Sequence, residues 1–161
     1  MTMGAESAGV VVGRLAELGL EVPLVVAPLA AYVPAIRSGN LVMTSGQLPM
    51  RSGSLVATGV VGRDVSVEAA QDAARQCALN AIAAIASVAD LDEVAQVIKV
   101  TGFVASAPDF TGQPSVVNGA SNLLLRAFGD AGRHARSAVG VSVLPLNAPV
   151  EVEVTVLLRD A

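Results

Sequence analysis

Toward its C-terminal end the sequence reads Gly132-Arg133-His134-Ala135-Arg136-Ser137-Ala138-Val139-Gly140-Val141, and shortly afterwards Pro149-Val150-Glu151-Val152-Glu153-Val154. Both runs alternate as strands do, and each places charge in a segment that is otherwise apolar or small. Arg136 offers a rigid fork of N–H donors that stays charged at any working pH and matches a carboxylate in a two-pronged contact. Glu151 and Glu153 stand two residues apart, hence on one strand face, and could supply a general acid or base near that cation. The neighbours of Arg136 are small, which leaves room for a small carboxylate-bearing ligand. The plainer alternative is a solvated outer face for the glutamates and a structural ion pair for the arginine.

Other chemistries find less support. His134 is the only histidine and no Gly-x-Ser-x-Gly elbow occurs, so a serine triad lacks its parts, and His134 reads as a strand-entry residue bonded to backbone or solvent. Neither a Gly-x-Gly-x-x-Gly run nor a Walker loop is present, and Gly59-Val60-Val61-Gly62 is a plain loop. One histidine and scattered carboxylates give no ligand spacing of the usual kinds, so we expect no metal. Ten basic against fourteen acidic residues, a net charge of -4, argue against a nucleic-acid partner, and with no Trp, one Tyr and three Phe little could stack on bases.

The elements that must position these residues follow from periodicity. A length of 161 residues suits a single domain over 1–161 with residues 1–27 as an N-terminal helical extension. Glu6 to Leu20 has helical spacing with a stop at Gly19, and Val22 to Pro34 is Pro-rich and extended. Asn40 to Gln47 reads as a strand with Leu55 to Gly59 as its hairpin partner. From Ser66, a helix cap, the apolar residues Val67, Ala70, Ala74, Cys77, Ala81, Ile85 and Val88 recur at helical steps. Val97 to Val104 is a β-branched strand, a second long helix opens at Pro114 and stops at Gly129, and strands Ala135 to Leu144 and Val150 to Leu158 close the chain.

This order suggests one mixed sheet carrying its helices on a single face, with a hairpin at each end. Val150, Val152, Val154 and Val156 should lie under the helices, while Arg136, Ala138, Gly140 and Ser142 should face away from them, beside the glutamates. Hydrophobic residues make up 53% of the chain and mean hydropathy is +0.62, which predicts an oligomer that hides apolar surface between subunits. The longest apolar stretch, Val22 to Ala31, is broken by Pro23 and Pro28, so no membrane partner is expected. A single cysteine, Cys77, agrees with a cytoplasmic location.

Four stretches, in order and at matching spacing, give the chain a family resemblance: Ala31-Tyr32-Val33-Pro34-Ala35, Gly39 to Pro49 with its Thr44-Ser45-Gly46-Gln47 core, Val97 to Val104, and Ala135-Arg136-Ser137-Ala138-Val139 with Val150-Glu151-Val152-Glu153. From Pro28 to Leu158 the chain resembles the RidA/YjgF family of reactive-intermediate deaminases, also labelled YjgF-like or endoribonuclease domains. The resemblance implies a chorismate-mutase-like α+β fold forming a homotrimer, with a central β-barrel and clefts between subunits. It implies cofactor-free hydrolytic deamination of 2-imino or 2-enamino acids to 2-oxo acids and ammonia. By position, Arg136 would be the carboxylate clamp and Glu151 would orient water or bind the amino end. Tyr32, Ser45, Gly46, Asn118 and Ala138 would line the substrate cleft.

The chain also departs from that pattern. Where well-studied deaminases carry cysteine after Arg-Ser it has Ala138, and where a glutamate follows two positions later it has Gly140. A mechanism using that thiol is excluded, and a larger pocket is expected. The alternative is a non-catalytic module that binds small carboxylates or a partner protein, with ribonuclease activity disfavoured by the acidic charge.

Overall fold

The computed structural model describes residues 9–25, 28 and 30–160. Helix α1 spans Val10–Glu17 and buries Val11 and Leu15, while Gly19, at φ +71°, ends it in the left-handed conformation glycine favours. The expected start at Glu6 lies outside the described residues. The first two backbone N–H groups of α1 are capped from far along the chain. Val10 and Val11 donate to the Asp92 carboxylate at 2.8 and 3.0 Å, so a helix too short to be stable alone is tied to the body.

Strands β1 (Ala35–Ser38) and β2 (Leu41–Thr44) form an antiparallel hairpin. This corrects the expected pairing of β2 with Leu55 to Gly59. Leu55 instead closes a separate two-stranded ribbon, β3 (Met50–Arg51) with β4 (Ser54–Leu55). Helix α2 spans Val67–Ala86, with Ser66 Oγ accepting the Ala69 N–H at 3.1 Å. Strand β5 (Val94–Ala105) leads to helix α3 (Gln113–Phe128), which has Pro114 in its first turn and Gly129 just past its end. Strands β6 (Ala135–Val141) and β7 (Val150–Leu158) follow.

The main sheet has the order β1-β2-β7-β5-β6. The two closing strands therefore do not pair with each other. β5 lies between them, antiparallel to β7 and parallel to β6. A parallel pair needs a crossover, and α3 supplies it. Val150, Val152, Val154 and Val156 are all buried beneath the helices, as the alternation predicts.

With almost no aromatic residues, the core fills by close approach. α2 presents Ala70, Ala73, Ala74, Cys77 and Ala81, all fully buried, and α3 presents Val116, Val117, Ala120 and Leu124. Burial pushes the Cys77 thiol well above its ordinary range, which keeps it protonated and unreactive. Where α2 and α3 meet, a Cβ on Gly119 would collide with the backbone carbonyl of Gln71. Among the described residues no helix lies on the opposite face of the sheet, which exposes Ile36, Met43 and Val139.

Gly119→Ala should force the two helices apart and lower stability by about 1–3 kcal/mol in urea unfolding. Gly13→Ala, at a helical site with nothing within 4 Å, should be neutral or stabilising. Equal effects at the two positions would contradict the close-packing account.

Candidate functional site

Register decides where Arg136 points. On β5, Val100 pairs with Arg136 on one side and with Val154 on the other. Residues paired in this way share a face, and Val100 and Val154 are buried under the helices. Arg136 thus projects on the helix side of the edge strand β6, correcting the expectation that it faces away from the helices. Ala138 shares that face and packs against the core.

The guanidinium meets the polar flank of α3. Nη1 donates to Asn118 Oδ1 at 2.8 Å and to Ser121 Oγ at 3.2 Å, and Nη2 donates to the Pro114 carbonyl at 3.2 Å. All three acceptors are uncharged, and among the described residues no carboxylate forms an ion pair with Arg136. Three of its five N–H donors are occupied, which leaves the one on Nε and one on Nη2. Ser121 also lies 2.9 Å from His134 Nε2, and His134 Nδ1 lies 2.6 Å from the Gly132 carbonyl. The backbone contact of His134 follows the sequence expectation. Its link to Ser121 was not legible, because strand entry and helix flank are brought together only by the crossover.

Glu151 belongs to the other face. It pairs with Phe103 of β5, is half-buried, and lies against Gly46, where a Cβ would collide with Oε1. Gly46 is thereby explained as a close approach of backbone to the carboxyl group. Burial raises the proton affinity of Glu151, and the neighbouring Glu153 raises it further. Ser45 adjoins this group, its Oγ donating to the Val33 carbonyl at 2.6 Å, and Tyr32 stands one residue before that carbonyl with 57% of its surface exposed. On the same face Lys99 Nζ donates to Ser137 Oγ at 3.0 Å.

The predicted site residues therefore fall into two groups. Arg136, Asn118 and Ala138 lie on the helix side, whereas Glu151, Ser45 and Gly46 lie on the open side. One chain does not bring Arg136 and Glu151 together. At the exposed Gly140, a Cβ would stand 2.8 Å from the end of the Gln113 side chain and 3.1 Å from Ser106 Oγ. Two adjoining cavities of about 330 Å³ each share Asp72 and Arg75 on the outer side of the helices, and none of the residues singled out from sequence lines either. Among the described residues, no three His, Cys, Asp or Glu side chains gather as a metal site would need. No helix there is long and apolar enough to cross a membrane.

Comparison with known proteins agrees with this architecture. Residues 12–157 match the family described as "YjgF/chorismate mutase-like, putative endoribonuclease". The chain is 43% identical to protein TCP17 of Trypanosoma cruzi, covering 98% of this chain and 100% of that one. It is 32% identical to the 2-iminobutanoate/2-iminopropanoate deaminase of Salmonella typhimurium, covering 83% and 91%. A solved protein of unknown function from Agrobacterium tumefaciens superimposes with a TM-score of 0.87 at 51% identity, covering 93% of each chain. A family match across nearly the whole chain, with a mixed sheet carrying its helices on one face, gives one conclusion: the chain belongs to the YjgF/RidA family and has its chorismate-mutase-like α+β fold.

Proposed function

We propose that this chain catalyses cofactor-free hydrolysis of small 2-imino or 2-enamino acids, releasing ammonia and a 2-oxo acid. The observation that carries the reading is the state of Arg136. A guanidinium held by three uncharged acceptors, with two N–H donors left over and no carboxylate paired with it among the described residues, is prepared for an external carboxylate. Relatives named as imine deaminases at 32–33% identity supply the reaction class.

In this reading the carboxylate of the imino acid docks on Arg136, which fixes the adjacent C2 carbon. Water adds to C2, the C–N bond of the resulting carbinolamine breaks, and ammonia leaves with the proton. Holding substrate and water together supplies much of the effect, since orientation replaces a bimolecular encounter. Glu151 is suited to proton transfer because its raised proton affinity brings it nearer to working pH. It lies across the sheet from Arg136, so the reading requires a Glu151 from a neighbouring copy. A homotrimer with sites between subunits meets that requirement, and it is supported by the open sheet face, where Ile36 and Met43 are exposed at 60% and 53%.

A second reading, a carboxylate-binding module without turnover, draws on one observation. None of the three groups that bond Arg136 is an acid or a base. One assay separates the two. With iminopropanoate generated in situ, the wild-type chain should accelerate pyruvate formation. Arg136→Ala should lower kcat/KM by about 100-fold or more, roughly 3 kcal/mol, and Arg136→Lys should fall between, keeping charge but losing the fork. Binding of pyruvate without turnover would establish the second reading.

The raised proton affinity of Glu151 has a consequence for stability. The folded chain keeps this proton to higher pH than the unfolded chain, so folding takes up a proton in the window just above the ordinary carboxylate range. Stability from this group is present below that window and is lost as pH rises through the folded value. Glu151→Gln should therefore match wild type in thermal unfolding near pH 4 and exceed it at pH 7. A gain confined to low pH would contradict the assignment.

A further inference from the structure

Two residues behind Arg136 are left unused by the proposed reaction. His134 is the only histidine of the chain, and its Nδ1 lies 2.6 Å from the Gly132 carbonyl oxygen. That oxygen can only accept, so Nδ1 carries a proton, because a ring lone pair aimed at it from this distance would be repelled. In the neutral ring Nε2 then carries the lone pair, and Ser121, 2.9 Å away, donates its hydroxyl proton to it. The Ser121 oxygen is thereby left to accept from Arg136 Nη1 at 3.2 Å. All three bonds run in one direction, from Arg136 through Ser121 and His134 to a backbone carbonyl.

We propose that Ser121 and His134 are positioning residues, a relay that locks the plane of the Arg136 guanidinium. A serine hydroxyl by itself can rotate and present its proton to the arginine. With His134 holding that proton, the oxygen faces Nη1 with its lone pairs, and bonds aligned in series strengthen one another. Asn118 takes the second Nη1 proton and Pro114 holds Nη2, so the group is fixed at both terminal nitrogens. The edge bearing Nε–H is left to the ligand. That the ligand is a substrate carboxylate rests on the deaminase reading, whereas the relay itself does not.

NMR of the ¹⁵N-labelled full chain tests the relay, with Arg136→Lys identifying the Arg136 signals. The sole imidazole should report the Nδ1–H tautomer. Slow rotation should give separate Arg136 Nη signals in the wild type. These should merge in His134→Phe and in Ser121→Ala, the milder change should the first fail to fold. They should return in His134→Gln, whose side-chain oxygen can accept from Ser121. An Nε2–H tautomer, or Arg136 signals indifferent to both disruptive variants, overturns the relay. In the deaminase assay, His134→Phe should raise KM about five- to tenfold, the scale of one lost hydrogen bond, with kcat within about twofold and KM restored in His134→Gln. An unchanged KM in both disruptive variants overturns the positioning role. If the wild type shows no turnover, the deaminase reading fails and the NMR outcome alone decides the relay.

Discussion

The pairing of β5 between β6 and β7 is the constraint on which the rest depends. Because Val100 faces Arg136 on one side and Val154 on the other, the side chain of Arg136 is committed to the helix layer. The parallel β5–β6 pair forces α3 to cross from one strand to the next, and this crossover passes the polar flank of α3 over the edge strand. Asn118 and Ser121 reach the guanidinium from there. In the alternative, with β6 paired directly to β7 in the register that puts Arg136 on the face of Glu151 and Glu153, carboxylates would stand beside the arginine instead.

The small residues of the core serve the same end. Alanines along α2, glycine at 119, and Gly102 beneath Val117 let helices and sheet approach more closely than larger side chains would permit. At such a spacing the short side chains of Asn118 and Ser121 suffice to reach Arg136. Gly140, by contrast, is exposed, and a Cβ there would meet only the side-chain ends of Gln113 and Ser106.

Local signals in the sequence carried far. Ser66 opens α2, and Pro114 and Gly129 bracket α3, because caps and stops act through neighbouring backbone groups. The valines of β7 read correctly because a central strand buries one face completely. What sequence could not supply was partner choice. Ala35–Ser38 was hidden at the end of a Pro-rich stretch, and its pairing with β2 depends on the hairpin at Gly39. The face that Arg136 takes on β6 differs from the sequence expectation for a related reason. An edge strand is only partly covered, so small and polar residues occur on its inner side too. The residues carried over by family resemblance divide between two faces, a division that no linear spacing encodes.

The strand order also bears on how the chain is assembled as it is made. β7 follows every other strand in sequence yet sits between β2 and β5 in the sheet. Until its residues have left the ribosome, the β1–β2 hairpin and the β5–α3–β6 unit are two fragments with no sheet contact between them. Each presents a bare strand edge to its surroundings, β2 on one side and β5 on the other. The fold is thus completed by insertion of its last strand into a gap.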